Sequence, residues 1–185
     1  MELPPWHSRH MIAILASCDA KVEPVPREPT VELLESYANP DCPQASETVQ
    51  LGRLLMLTDA ERLDEVALAR RVAAGLSTRS LSGLYDLLGR SRVVGTVVSE
   101  ATLRRHRKSR QPLSRRHSER VYELGRVLHA LGRAFHGDKQ RMDAFLHRAH
   151  PLLDGLTPYD MAVSCSAGAD AVVNLVRRAE AGVAV

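Results

Sequence analysis

Between Ser114 and His136 the chain runs without a proline and places apolar side chains at Val121, Leu124, Leu128, Leu131 and Phe135. Alternating steps of three and four residues mark one face of an α-helix. Gly137 follows as the stop, because glycine takes the left-handed turn that closes a helix. A helix this long buries its stripe only against other elements, so the remaining sequence has to provide them. Aromatic residues make up only 4% of the 185, as one Trp, two Phe and four Tyr. A core built from Leu, Val and Ala suits packed helices better than an aromatic-rich β-sandwich. The expected class is all-α, with chain enough for one core or two small modules sharing one.

Punctuation along the chain gives the other helices. Pro4, Pro5, Pro24, Pro26, Pro29, Pro40 and Pro43 fall early, and each removes a helix donor and pushes its predecessor out of the α region. The start therefore reads as an irregular arm with one short helix near Val31–Tyr37. Leu51, Leu54, Leu55 and Leu57 open a helical stripe, and Thr58-Asp59-Ala60-Glu61 has the form of a capping box that starts the next helix. A further helix fits Ser80 to Leu88 and stops at Gly89. Val93 to Val98 is ambiguous: its β-branched residues favour a strand, yet it is too short to make a sheet alone. Ser99 is a good N-cap for the basic segment that follows. Beyond the long helix, a short one carries Met142, Phe145 and Leu146. Thr157 at N-cap, Pro158 at N1 and Asp160 at N3 form a helix start. The last helix spans about Gly168 to Ala181, with Val172, Val173, Val176 and Ala179 inward and Gly182 ending it.

A net charge of +3 hides an uneven distribution. Residues 1–60 carry four Lys/Arg against nine Asp/Glu, residues 61–110 eleven against five, and residues 111–150 eight against four. A basic centre suits a phosphate-rich partner, although a solvated helix face gives the same count. Cys18, Cys42 and Cys165 are too scattered for a disulfide framework or a zinc cluster and fit a reducing cytoplasm. Leu15-Ala16-Ser17-Cys18 mimics a lipoprotein cleavage box, but the apolar run Met11–Ala16 before it is shorter than the about 7–15 residues of a signal sequence. No apolar run approaches the length of a membrane span.

Signatures of catalysis are missing: there is no G-x-S-x-G, phosphate-binding loop, dinucleotide fingerprint or H-E-x-x-H. His7-x-x-His10 and His147-x-x-His150 have helical spacing, but no carboxylate or cysteine stands nearby to complete a metal shell. No catalytic residue, metal or cofactor is expected. The better lead is Arg104, Arg105, Arg107, Lys108 and Arg110, followed by Arg115, Arg116 and Arg120. Such a cluster neutralises phosphates, and a short helix opening with Ser99 and Thr102 could enter a DNA groove.

The order of these pieces resembles a known family. Ser99-Glu100-Ala101-Thr102-Leu103-Arg104-Arg105, Pro112-Leu113-Ser114 and Ser118-Glu119-Arg120 are similar to the helix-turn-helix half of Xre/MbcA/ParS-type antitoxins. Phe145-Leu146 stands where that family has Trp-Leu. Gly155-Leu156-Thr157-Pro158-Tyr159-Asp160-Met161 resembles its Gly-x-x-Pro motif, and Gly168 through Gly182 its terminal helix. The resemblance covers roughly residues 60–185. One departure is Val93 to Val98, which stands where the first helix of the motif is expected and has Gly95 inside it.

The resemblance implies an antitoxin of a type II RES–Xre toxin–antitoxin system. Its partner would be a RES-domain toxin, ADP-ribosyltransferase-like, that consumes NAD. The terminal helix and tail would cover the toxin's active site. On that basis residues 1–57 are expected as the arm, 58–127 as an Xre-like helix-turn-helix domain and 128–185 as the toxin-binding domain. Expected DNA contacts are Ser99, Thr102, Arg104, Arg105, Arg107, Lys108 and Arg110. Expected toxin contacts are Gly155, Thr157, Pro158, Asp160, Met161, Asn174, Arg177, Arg178, Gly182 and the apolar tail Val183, Ala184 and Val185. A homodimer within a hetero-oligomeric complex, binding its own operator DNA in the cytoplasm and no membrane, completes the expectation. The alternative is a stand-alone helix-turn-helix regulator whose C-terminal part only dimerises.

Overall fold

A computed structural model of the chain describes residues 29–39 and 45–182. The described residues form ten α-helices and three 3₁₀ turns, with no strand among them. The long helix expected from its stripe is α7 (Arg115–Ala134), and it is the spine. Ser114 caps it by accepting from the His117 N–H. Val121, Leu124, Leu128 and Leu131 are fully buried, and so is Val127, which the spacing leaves out.

Around α7 pack α1 (Pro29–Ala38), α2 (Glu47–Leu54), α3 (Glu65–Ala74), α9 (Pro158–Ser164) and α10 (Ser166–Glu180). One hydrophobic cluster runs from Leu33 to Val176, and α7 crosses residues 127 and 128 without a break. The short helix in the proline-rich arm is therefore docked, since Leu33 and Tyr37 lie one turn apart and both face inward. Leu51, Leu54 and Leu55 do the same for α2. His7, His10 and the early prolines up to Pro26 lie outside the described residues.

Three expectations need correction. The helix assigned to Thr58 begins at Glu65 instead, with Asp64 accepting from the Ala67 N–H. Asp59 is left-handed, Ala60–Arg62 form a 3₁₀ turn, and Thr58 accepts from Arg71. Packing accompanies the shift: Ala60 and Leu63 sit against Gly52 of α2, where an added Cβ would come within 3.0 Å of both, so the segment before α3 is held against α2 as a turn.

Val93 to Val98 is neither a strand nor the first helix of a motif. It follows α4 (Ser82–Leu88) and ends α5 (Arg90–Val93), then turns at Gly95 with φ +105° into α6 (Glu100–Ser109). Val94 and Val98 form an isolated bridge, and the Gly95 N–H donates to the Val98 carbonyl at 3.0 Å. The β-branched residues serve the core, with Val93, Val97 and Val98 all buried. In α10 the inward stripe includes Ala169 and Leu175, while Ala179 is exposed.

Candidate functional site

Two surfaces carry the residues singled out in the sequence. The first is α6. Its only acidic side chain, Glu100, is held by Arg90 of α5 at 2.8 Å through both carboxylate oxygens. Ser99 accepts from the Thr102 N–H and donates to the Thr102 hydroxyl at 2.8 Å. Both hydroxyls expected at DNA are therefore engaged in capping the helix.

Leu103 is fully buried and fixes the rotation of α6. At about 3.6 residues per turn, Ala101, Arg105 and Lys108 lie on the side opposite Leu103 and Arg104 on its flank. Arg107 lies nearer the Leu103 side, and Arg110 is the left-handed cap beyond the helix. All five cations are exposed, and none makes an ion pair among the described residues. Arg53, Arg92, Arg115, Arg126, Arg141 and Arg177 each meet a carboxylate, whereas Arg70, Arg116 and Arg178 are, like the cations of α6, exposed with no ion pair among the described residues.

Beneath α6, Leu103 joins the hydrophobic cluster with Leu81, and polar groups lie beside them. The turn Thr78–Leu81 touches α6, and Ser80 is fully buried with an unpartnered hydroxyl. His106 has both ring nitrogens covered and unpartnered. Burial lowers the proton affinity of His117 on α7, and the charges of His106, Arg120, Arg116 and Arg105 lower it further.

The second surface lies in α8 (Lys139–Leu146), α9 and α10. Thr157 accepts from the Asp160 N–H at 3.0 Å and donates to its carboxylate at 2.7 Å. Pro158 is buried at N1, Met161 is half-buried, and Gly155 is exposed with φ +77°. These residues therefore build the α9 start, while the open surface is at the loop and along α10. Asn174 and Arg178 are exposed, and Arg177 reaches Glu47 of α2 at 3.4 Å. Gly182 ends α10 with φ +71°. Val183, Ala184 and Val185 lie outside the described residues.

Several features here had no sequence signal. Leu152 and Leu156 are 57% and 48% exposed on the turn before α9. That turn is closed by hydrogen bonds from the His150 N–H to the Leu156 carbonyl and from the Gly155 N–H to the His150 carbonyl. In sequence the two leucines look like ordinary core residues. Arg126 joins Glu123 and Asp170 at 2.9 and 2.8 Å, and Ser166 donates to Glu123, so a charged network ties α7 to the start of α10. The Tyr159 hydroxyl donates to the Arg92 carbonyl at 2.6 Å, and the Arg92 guanidinium meets Asp143 of α8. These two contacts join the α5–α6 region to the C-terminal helices.

Two clefts open on the surface. One, of about 770 Å³, lies between α3, α7 and the α9–α10 elbow. Its cations Arg115, Arg116, Arg120 and Arg126 are balanced by Glu47, Glu65, Glu119 and Glu123. The other, of about 430 Å³, lies between residues 75–78 and the end of α6, and no acidic side chain lines it. Contrary to the expectation from sequence, a carboxylate does stand beside the second histidine pair: Asp143, one helical turn before His147, lies 3.5 Å from its Nε2. His147 also stacks near Tyr159 and His150 caps the turn after it, and no metal-binding group of three forms among the described residues. No helix among them is long and apolar enough to cross a membrane.

Residues 123–182 match the family model of the antitoxin Xre/MbcA/ParS C-terminal toxin-binding domain. No curated protein matches the chain. The matched stretch begins within α7, at Glu123 of the charged network, and ends at Gly182. This part of the chain is therefore similar to the toxin-binding domain of Xre/MbcA/ParS-type antitoxins.

Proposed function

We propose that the chain neutralises a RES-domain toxin that consumes NAD, covering the toxin's active site with the end of α10 and residues 182–185. The observation that carries this reading is the match over 123–182. Support comes from the exposed side chains of Asn174 and Arg178 near the end of α10, and from the apolar Val183, Ala184 and Val185 beyond it. Arg177 and Arg178 would meet acidic groups of the toxin, with Arg177 exchanging its contact to Glu47. Gly155, Thr157, Pro158, Asp160 and Met161 would act by holding the turn and α9 in place beside that surface. The chain itself would supply no catalytic group and would work in the cytoplasm as a homodimer within the toxin complex.

The same protein would bind its operator through a helix-turn-helix made of α4–α5, the Val94–Ser99 turn and α6. Arg104, Arg105 and Lys108 would face the groove, and their lack of carboxylate partners supports that role. The direct test is co-expression of the tagged full chain with the product of the neighbouring gene. Retention of a RES-domain protein on the chain is the expected result. If no protein is retained while the chain still binds duplex DNA, the toxin reading fails and a stand-alone regulator remains.

A further inference from the structure

The 430 Å³ cleft stands apart from the rest of the surface in its chemistry. Its lining includes Ser77, Thr78, His106, Arg107, Arg110 and Gln111. Hydroxyls, an amide, an imidazole and two guanidiniums can all donate hydrogen bonds, and the guanidiniums do nothing else. By contrast, the larger cleft mixes four arginines with four glutamates and so has no preference for an anion.

The walls of this cleft are held in place before any ligand arrives. The Leu113 N–H donates to the Leu76 carbonyl at 2.8 Å, and the Leu76 N–H donates to the Ser118 hydroxyl at 2.8 Å. Gly75 backs directly onto Pro112 and Leu113, so the loop after α3 and the loop after α6 form one clasp. Arg107 in the last turn of α6 and Arg110, the left-handed cap that ends it at φ +54°, both line the cleft. His106 is half-buried at its edge, with both ring nitrogens turned away from solvent and unpartnered, so that a rotation of the ring brings one to the cleft. A buried imidazole without a partner is an unfilled hydrogen-bonding site.

We propose that this cleft is a seat for one phosphate group, gripped by Arg107 and Arg110 and by the hydroxyls of Ser77 and Thr78, with His106 turning to donate from below. Guanidinium groups suit a phosphate because their forked donors match its oxygens. The inference rests on the proposed DNA binding for the source of the phosphate, a backbone diester, but its chemistry applies equally to a free phosphate. It divides the basic residues of α6 into two groups. Arg104, Arg105 and Lys108 face outward to the groove, while Arg107 and Arg110 fix the register of the helix on the backbone, as phosphate contacts do.

The test uses the full chain and its Arg107→Ala/Arg110→Ala variant. The His106 ring signals are followed by NMR while sodium phosphate replaces sodium chloride at constant ionic strength, and then while a random-sequence duplex is added. Binding of the labelled duplex is measured in parallel over a salt series. In the wild type, His106 should shift with both probes. In the variant both shifts should vanish, and the slope of log K against log salt should become shallower by about 0.9, the value of one phosphate contact. A shift with phosphate but no binding of duplex keeps the seat, assigns it a free phosphate and ends the DNA reading. Duplex binding with an unmoved His106, or with an unchanged slope in the variant, overturns the seat and leaves the DNA reading standing. Absence of any response to phosphate and of duplex binding overturns both.

Discussion

His129 shows how firmly one residue can be tied to the fold. It is buried on α7, and the Tyr37 hydroxyl of α1 meets its Nδ1 at 2.6 Å. Burial lowers its pKa to about 4; the carboxylate of Glu47 works against that shift, and the guanidiniums of Arg133 and Arg177 add to it. Burial also raises the Tyr37 phenol, so the tyrosine stays protonated. Because the folded pKa lies below the unfolded value of about 6.5, the unfolded chain binds more protons between the two. Stability is therefore lost as the pH falls through that window, by about 2 kcal/mol between pH 7 and pH 5. Urea unfolding at the two pH values should show that loss in the wild type and a smaller one in His129→Gln; equal losses would exclude His129 as the cause. Gly75 is a second case at this scale. Its φ is +106° and a side chain there would strike the Leu113 carbonyl. Gly75→Ala should cost about 1–3 kcal/mol in the same assay, and an unchanged midpoint would show that the clasp yields.

Among the elements, helix starts were the most legible part of the sequence, because a cap is a local event. Ser99, Ser114 and Thr157 each cap the helix expected of them. Thr58 was misread because Asp64 offers an equally good cap six residues on, and the packing of Ala60 and Leu63 against Gly52 accompanies that choice. Val93 to Val98 was ambiguous for a similar reason: β-branched residues fit a strand or a buried turn, and only the core decides. The two faces of α6 needed the burial of Leu103 to be told apart. Arg104→Ala with Arg105→Ala should abolish retention of operator DNA in a gel shift while the toxin complex survives. Loss of both together would instead mean that the double variant fails to fold. In the C-terminal part, Gly168 lies against the Met161 carbonyl and Ser164, which lets α9 and α10 fold back on each other. Gly168→Ala should push them apart, cost about 1–3 kcal/mol and weaken toxin binding. Full stability by thermal unfolding would show that the elbow has slack.

At the scale of the whole molecule, the parts assigned to DNA and to toxin are not independent beads. They share α7 and one hydrophobic cluster, and Tyr159 and Asp143 both hold Arg92 at the end of α5. None of this long-range pairing could be read from spacing, because the partners stand far apart in the chain. What the sequence did carry was the uneven charge, basic in the middle and close to neutral over residues 123–182, where the family model matches. The structure places five cations of that basic centre on and beside a single helix, with no ion pair to any of them among the described residues. The central claim concerns the other end of the molecule. Its most direct test is loss of NAD by the purified toxin, alone, with the full chain, and with a chain lacking residues 182–185. The full chain should stop NAD loss, and the truncated chain should still bind the toxin yet leave it active. A truncated chain that silences the toxin as completely as the full one would contradict occlusion by this segment.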